Sequence, residues 1–151
     1  MLNRAALIAF SCLAAVACSG EGGPKSAEAP AAPAAVQNVG DAKLAAVLTY
    51  ADWCSSCKIL DPKLRTVKAD TEFPGTAFVT LDYTARDGEA MFKAADAAGV
   101  GEAVRAHLAD EIKTGLLLLV DVDDKKVLDV VRKNMSEAEI TAAIAKAAGA
   151  A

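Results

Sequence analysis

The chain has 151 residues, a length that suits one domain with short appendages and leaves no room for a second fold. Its hydrophobic fraction of 54% is high, but 35 alanines account for much of it, and the other apolar residues are present in ordinary globular amounts. The 16 basic and 20 acidic residues give a net charge of -4, so bulk charge provides no basic surface. We therefore predict no nucleic-acid partner.

The N-terminal segment has the pattern of a secretory signal peptide. Arg4 supplies a basic start, an apolar run follows from Ala5 to Val16, and small residues precede Cys18. The run is too short to cross a hydrocarbon core as a helix, which takes about 20 residues. We therefore predict that residues 1–17 are a signal peptide that is cleaved, and Cys12 is lost with it.

The stretch Leu13–Cys18 resembles the lipobox of bacterial lipoproteins, with Ala15 where leucine is usual. The resemblance implies acyl chains on Cys18, which would anchor the protein stably to a membrane on the periplasmic side of the bacterial cell envelope. Ser19, in place of aspartate, favours the outer membrane over the inner one. The alternative is a simple secreted protein with a free Cys18.

Residues 18–40 begin with Cys18 and continue as an Ala-, Pro- and Gly-rich stretch that has almost no large apolar side chain. Such a segment cannot bury enough surface to fold, so we predict a disordered linker that spaces the domain from the membrane. The folded domain is predicted to cover residues 41–151.

From Asp41 onward, short apolar runs alternate with segments of helical periodicity. Pro62 should kink the first helix, and Ser136 with Glu139 forms a capping box before the last. The predicted strands are 44–50, 76–82, 116–122 and 127–131, and the predicted helices run from the Cys54 turn to about 68, then 87–98, 102–110 and 137–148. We expect strands separated by helices to pair in parallel and the last two to form an antiparallel hairpin. The predicted fold is α/β, a mixed parallel and antiparallel sheet with helices on both faces.

Two cysteines stand where the first strand leads into the first helix, in Trp53-Cys54-Ser55-Ser56-Cys57-Lys58. A C-x-x-C motif at a helix N-terminus is a redox arrangement, because free N–H groups and the helix dipole stabilise a thiolate on the first cysteine. The second sulfur lies within reach of the first and can resolve a mixed disulfide. We predict that Cys54 is an exposed nucleophile and Cys57 the resolving thiol.

The segment Ala51–Lys58, with Pro62 five residues after the second cysteine, resembles the active site of thioredoxin-fold proteins. The sequence from Tyr50 to Cys54 is similar to the active-site sequence in the periplasmic C-terminal domain of the transmembrane thiol:disulfide interchange reductase. The resemblance implies a three-layer thioredoxin-like domain and a thiol:disulfide oxidoreductase of the reductase type, without a cofactor. It implies disulfide-containing protein substrates and an upstream periplasmic or membrane thiol donor. The active-site neighbours would be Asp52, Trp53, Ser55, Ser56, Lys58 and Pro62.

Three features depart from the thioredoxin pattern. Residues 112–115 lie where a cis-proline is usual and contain no proline, so Lys113 and Thr114 become the candidates for contact with the sulfurs. Leu48 replaces a buried acid six residues before Cys54, which leaves water, Asp52 or Lys58 to manage the proton of Cys57. Residues 102–111 look like an insertion that either caps the site or packs.

Other functions remain possible on the sequence alone. The cysteine pair could be a static structural disulfide, or it could hold copper(I) in a thioredoxin-fold chaperone, or the domain could be a non-catalytic docking lipoprotein. We predict no dedicated metal site, and we interpret His107 as a surface or packing residue. Asp121, Asp123 and Asp124 lack the rest of a calcium loop and are interpreted as turn residues, as is Asp82 at a strand end.

Overall fold

The computed structural model describes residues 38–108 and 110–151. The predicted signal peptide at 1–17, the predicted lipid site at Cys18 and nearly all of the predicted linker lie outside the described residues. Within the described ranges, no helix combines the length and the apolar character needed to cross a membrane. The packed part begins at Val39, slightly before the predicted boundary at Asp41, because this side chain is buried and its N–H donates to the carbonyl of Ala98 at 3.1 Å.

The elements follow the predicted order. In the described ranges they are β1 (Leu44–Tyr50), α1 (Cys57–Asp70), β2 (Thr76–Asp82), α2 (Gly88–Ala98), α3 (Gly101–Leu108), β3 (Leu116–Asp121), β4 (Lys126–Arg132) and α4 (Glu137–Ala148). The bounds of β1, β2 and α4 agree with the prediction. The start of α1 was predicted at the Cys54 turn and instead lies at Cys57, because residues 51–54 form a separate turn in which the N–H of Cys54 donates to the carbonyl of Ala51.

The sheet has the strand order β2-β1-β3-β4. β1 and β2 are parallel and the hairpin of β3 and β4 is antiparallel, as predicted. The pairing of β3 with β1 is antiparallel, so the expectation of parallel pairing across helices is wrong for β3. One helix separates β1 from β2, whereas both α2 and α3 precede β3, and the second of them reverses the chain once more.

This topology places three loops at one edge of the sheet. Tyr50 at the end of β1 pairs with Asp82 at the end of β2, and Thr49 pairs with Leu116 at the start of β3. The segments 51–56, 83–87 and 112–115 therefore leave or enter the sheet side by side. Any site at this edge is built from parts of the chain that are far apart in sequence.

Helices cover both faces of the sheet, which accounts for its almost entirely buried central strands β1 and β3. On one face α1 and α4 pack through Leu60, Leu64, Ile140 and Ile144, and on the other α2 and α3 pack through Met91, Ala95, Val104 and Leu108. The result is a three-layer mixed α/β architecture consistent with a thioredoxin-like fold.

Residues 102–111 do not form a cap over the edge described above. Most of them belong to α3, whose Ala103, Val104 and Leu108 are buried in the same core cluster as Met91 and Ala95 of α2. The segment that looked like an insertion therefore packs on the sheet, and it is part of what reverses the chain before β3.

Side chains at the element ends do what the sequence predicts. Ser136 and Glu139 form the reciprocal capping box of α4. Asp82 accepts a hydrogen bond from the N–H of Thr84 at 2.7 Å, and Asp121 accepts one from the N–H of Asp124 at 2.8 Å. These acids therefore stabilise turns.

Pro62 lies inside α1, and the helix continues past it as a single element.

Thr49 ties β1 to β3 beside the edge where the loops meet. Its side chain is fully buried, and its hydroxyl donates to the carbonyl of Leu116 and accepts from the N–H of the same residue, both at 3.2 Å. Its own carbonyl accepts the N–H of Gly115 at 2.7 Å. A buried hydroxyl that satisfies two backbone groups holds the start of β3 firmly against the end of β1.

Candidate active site

The cysteine pair lies between β1 and α1, at the edge of the sheet. Both thiols are free, and the N–H of Cys57 donates to the Cys54 Sγ at 3.2 Å. Cys57 opens α1, and the N-cap residue Ser56 makes no side-chain capping bond. The Cys54 sulfur therefore takes one of the N–H groups that a helix start leaves without a partner.

Both cysteines are buried. Cys54 keeps 7% of its surface exposed and Cys57 keeps none. The prediction that Cys54 is exposed is therefore wrong in degree, although Cys54 remains the more accessible of the two. The reason is close packing by Gly115, where an added Cβ would lie 3.2 Å from the Cys54 Sγ and 2.5 Å from the Cβ of Ser56.

Hydrogen bonds lower the pKa of Cys54. Burial alone would raise the pKa of this thiol, but donation from the Cys57 thiol, the Thr114 hydroxyl and the backbone N–H groups of Cys57 and Ser56 outweighs it. The pKa therefore lies below the ordinary value of a cysteine. At neutral pH a larger fraction of Cys54 is thiolate than in an unperturbed thiol, which is the reactive form.

The pKa of Cys57 moves the other way. Burial, followed by its hydrogen bond with Cys54, raises the pKa of Cys57 to about 12. The Cys57 Sγ lies 3.7 Å from the carbonyl oxygen of Thr49, to which the thiol donates. Of the two thiols, Cys54 is thus the more readily ionised, and Cys57 is protonated at neutral pH.

Thr114 and Gly115 occupy the position where the resemblance placed a cis-proline. The Thr114 hydroxyl acts to lower the pKa of both thiols, whereas Lys113 is exposed and pairs with Glu111 at 3.3 Å, so of the two candidates Thr114 is the one that influences the sulfurs. Gly115 adopts a φ of +77°, which a side chain disfavours. Sequence reasoning missed Gly115, and its only signal was a glycine directly before the most apolar strand.

Trp53 is held over the site by the loop between β2 and α2. Its indole is 44% exposed, and the indole Nε1–H donates to the carbonyl of Thr84 at 3.0 Å. The Tyr83 ring meets it edge-on at 6.3 Å between centroids, and the Arg86 guanidinium lies 4.5 Å from the indole centroid. Thr84 and Arg86 were not predicted, because neither belongs to a local motif.

The other predicted neighbours have lesser roles. Asp52 is exposed and donates its backbone N–H to the Thr84 hydroxyl at 3.1 Å, while Ser55, Lys58 and Pro62 are exposed. In the described part of the chain, the hydrogen bonds of Cys57 go to Cys54, Ala51, Thr114 and Thr49. They do not go to Asp52 or Lys58, the two side chains considered for its proton. Leu48, at the position of the missing acid, is buried in the core between α1, α4 and the sheet.

Metal ligands do not gather around the cysteines. Across residues 38–108 and 110–151, no group of three or more His, Cys, Asp and Glu side chains is placed to hold a metal ion. His107 is exposed on α3. A metal at this site would therefore be held by the two thiols without a third ligand of these types.

Gly115→Ala should destabilise the protein and disturb the packing around Cys54. The new methyl would meet Ser56 and Cys54 and would also sit at positive φ, so we expect a loss of about 2–4 kcal/mol in the free energy of unfolding. Gly75→Ala is the matched control, because Gly75 also has a positive φ but has open space around it. Chemical denaturation of both variants measures the difference; equal losses would contradict the close packing at Gly115.

Thr114→Val should raise the pKa of Cys54, because it removes a hydrogen-bond donor at nearly constant volume. The rate of alkylation of Cys54 at pH 7 should fall several-fold, and the difference from the unmodified protein should vanish at a pH above both pKa values. The pH profile of iodoacetamide labelling, read by mass spectrometry, measures this. Thr114→Ser keeps the hydroxyl and should behave as the parent; an unchanged profile in the valine variant would exclude the role of Thr114.

No protein-family model matches the sequence, and no curated protein matches it. What the chain does is therefore inferred from its fold and from the geometry around Cys54 and Cys57.

Proposed function

We propose that the chain is a thiol:disulfide oxidoreductase that reduces disulfides in protein substrates. The observation that carries this proposal is the pair of opposite pKa shifts, with Cys54 lowered and Cys57 raised to about 12, in two free thiols at the start of α1. Perturbed and diverging pKa values in adjacent groups are typical of sites that carry out chemistry. A purely structural disulfide across two residues would stabilise little of the chain.

The reaction begins with the Cys54 thiolate. It attacks one sulfur of a substrate disulfide, so that a Cys54–substrate disulfide forms while the substrate S–S bond breaks and the leaving sulfur takes a proton from solvent. The hydrogen bonds that lower the pKa of Cys54 provide the thiolate for this step. Cys54 keeps only 7% of its surface exposed and Gly115 packs against it, so a disulfide can reach its sulfur from few directions.

The second step belongs to Cys57. Once Cys54 is in a mixed disulfide, its negative charge and its hydrogen bond to the Cys57 thiol are gone, and both of these had raised the pKa of Cys57. Cys57 gives its proton to solvent and attacks the Cys54 sulfur, so that the Cys54–Cys57 bond forms while the Cys54–substrate bond breaks, and the departing substrate sulfur takes up a proton from solvent. The substrate gains two electrons and two protons, and the chain is left with a Cys54–Cys57 disulfide.

A complete cycle needs a thiol donor that reduces this disulfide again. We place the protein on the periplasmic side of a bacterial envelope, held by a lipid on Cys18, with an upstream periplasmic or membrane donor. The mass of membrane-extracted protein tests the anchor, because a chain beginning at Cys18 without a diacylglyceryl increment would exclude it. A measured reduction potential above about -150 mV would place the pair among oxidants and exclude the reductase direction.

Cys54→Ser should lower turnover of a model protein disulfide by at least about 100-fold, because the other free thiol in the described ranges, Cys57, is fully buried and its pKa is raised to about 12. Cys57→Ser should still attack but should accumulate the mixed disulfide, seen as a covalent adduct by mass spectrometry. Circular dichroism of both variants controls for folding. Turnover by Cys54→Ser at the parent rate would contradict the mechanism.

Two assays on the purified protein, copper(I) binding and disulfide turnover, distinguish the oxidoreductase from a copper chaperone and from a docking protein. A copper(I) chaperone would bind the metal tightly through Cys54 and Cys57 in an anaerobic titration and would turn over disulfides negligibly. A docking protein would show neither activity. Rapid turnover that depends on Cys54 is the result expected for the oxidoreductase.

A further inference from the structure

One cation contacts Trp53, the residue before Cys54, and has no role in the proposed chemistry. Arg86 lies in the loop between β2 and α2, and its guanidinium lies over the Trp53 indole at 4.5 Å from the ring centroid. Trp53 directly precedes Cys54 and is fixed by its bond to Thr84. The position of the guanidinium relative to the nucleophile is therefore set by a rigid aromatic ring.

The backbone at Arg86 is unfavourable for this residue. Its φ is +58°, in the left-handed region that glycine and asparagine tolerate best, and its N–H closes a tight turn by donating to the carbonyl of Tyr83 at 2.9 Å. A non-glycine residue in this region costs about 1 kcal/mol or more, and such costs concentrate at functional sites. Glycine would serve the turn better, so the side chain of Arg86 is what the position retains.

The acids next to Arg86 are occupied elsewhere. The carboxylate of Asp87 accepts the N–H of Ala90 at 3.0 Å as the N-cap of α2, and that of Asp82 accepts the N–H of Thr84. In residues 38–108 and 110–151, no carboxylate lies within ion-pair distance of Arg86, which is exposed. A cation–π contact uses the charge of the guanidinium and leaves N–H donors for another acceptor.

We propose that Arg86 is a specificity-determining residue that binds a carboxylate of the substrate, namely an Asp or Glu side chain close to the substrate cysteine. This rests on the proposed function. The guanidinium contacts the ring of Trp53, and Trp53 directly precedes Cys54. An acceptor on Arg86 would therefore lie within a few residues of extended substrate chain, at about 3.3 Å per residue, of a disulfide at Cys54. The preferred substrates are thus disulfides in polypeptides with an acidic residue within about three positions of the attacked cysteine.

The chain as a whole repels acidic partners, since its net charge is -4. A preference for a carboxylate must therefore come from a local group, and it should weaken as salt screens the interaction. Arg86 has the geometry for a paired contact, because a guanidinium matches a carboxylate with two parallel hydrogen bonds. Exposure of the site limits the expected preference to about three- to tenfold in rate.

The proposal is tested with three amidated disulfide peptides. They carry Glu, Gln or Lys two positions from the cysteine and are otherwise identical. The parent protein should reduce the Glu peptide with a kcat/KM about three- to tenfold above that of the Gln peptide, and less so at high salt. Arg86→Gln should remove this preference, so that the variant reduces the Glu and Gln peptides with equal kcat/KM. Arg86→Glu should reverse it in favour of the Lys peptide. A fourth peptide, with Gln and a free C-terminus, measures the contribution of a terminal carboxylate.

Lys126→Gln is the matched control, because it removes the same charge at the opposite end of the sheet, where Lys126 lies opposite Asp121 in the β3–β4 register and forms an ion pair with Asp124 at 2.9 Å. The Lys126→Gln variant should prefer the Glu peptide over the Gln peptide as strongly as the parent protein does. Equal rates for the Glu and Gln peptides in the parent protein, or a preference that survives in Arg86→Gln, would overturn the proposal. A preference only for the free C-terminus would assign the site to terminal carboxylates and would overturn the side-chain assignment.

Binding without chemistry separates this proposal from the proposed function. Trp53 is the only tryptophan of the chain, so its fluorescence reports directly on the ring beneath Arg86. Peptides with serine in place of cysteine should bind with the same Glu-over-Gln preference, and Arg86→Gln should abolish it. Selective binding without turnover would refute the oxidoreductase and support the carboxylate site. Turnover without selectivity would support the oxidoreductase and refute the carboxylate site.

Discussion

The arrangement of the site depends on the backbone carbonyl of Thr49. It accepts the N–H of Gly115 at 2.7 Å and the thiol of Cys57 at 3.7 Å, so one oxygen joins β1, the start of β3 and the start of α1. The buried hydroxyl of the same residue adds two bonds to Leu116. Because these groups are buried together, β3 cannot move away from β1 without leaving polar groups unsatisfied, at a cost of about 1–3 kcal/mol each.

That constraint explains how the site works without a proline at the start of β3. Gly115 has no side chain, and its backbone therefore lies in contact distance of Ser56 and Cys54. The same approach brings Thr114 to the sulfurs, where its hydroxyl helps to lower the pKa of Cys54. The glycine thus buries the nucleophile, and the threonine next to it keeps the buried sulfur ionisable. Burial alone would have raised the pKa and made Cys54 less reactive.

Much of the fold could be predicted from local patterns, because strand alternation, helical periodicity and capping residues are properties of neighbouring positions. The capping box at Ser136 and the bounds of β1 and β2 are examples. The direction of β3 was predicted wrongly, because parallel pairing was expected wherever helices separate two strands, whereas the predicted helix at 102–110 follows α2 and turns the chain around once more before β3. Of the site, Cys54, Cys57 and Trp53 belong to one short motif. Gly115, Thr84 and Arg86 do not, since each meets that motif only through the topology of the sheet.

A nucleophile that is almost fully covered can be reached from few directions, and this makes its surroundings decisive for which disulfides react. One side is closed by the backbone of Gly115, and Cys57 lies deeper in the protein. Trp53 and Ile59 are the two large apolar side chains in the described ranges that remain exposed, and both lie in or directly after the segment that carries the cysteines. A substrate would therefore bury apolar surface there while it approaches Cys54, and this gain is unspecific. A charged group such as Arg86 would add a selectivity that apolar contacts lack, because an unmatched charge against it costs binding energy whereas an apolar contact tolerates many partners.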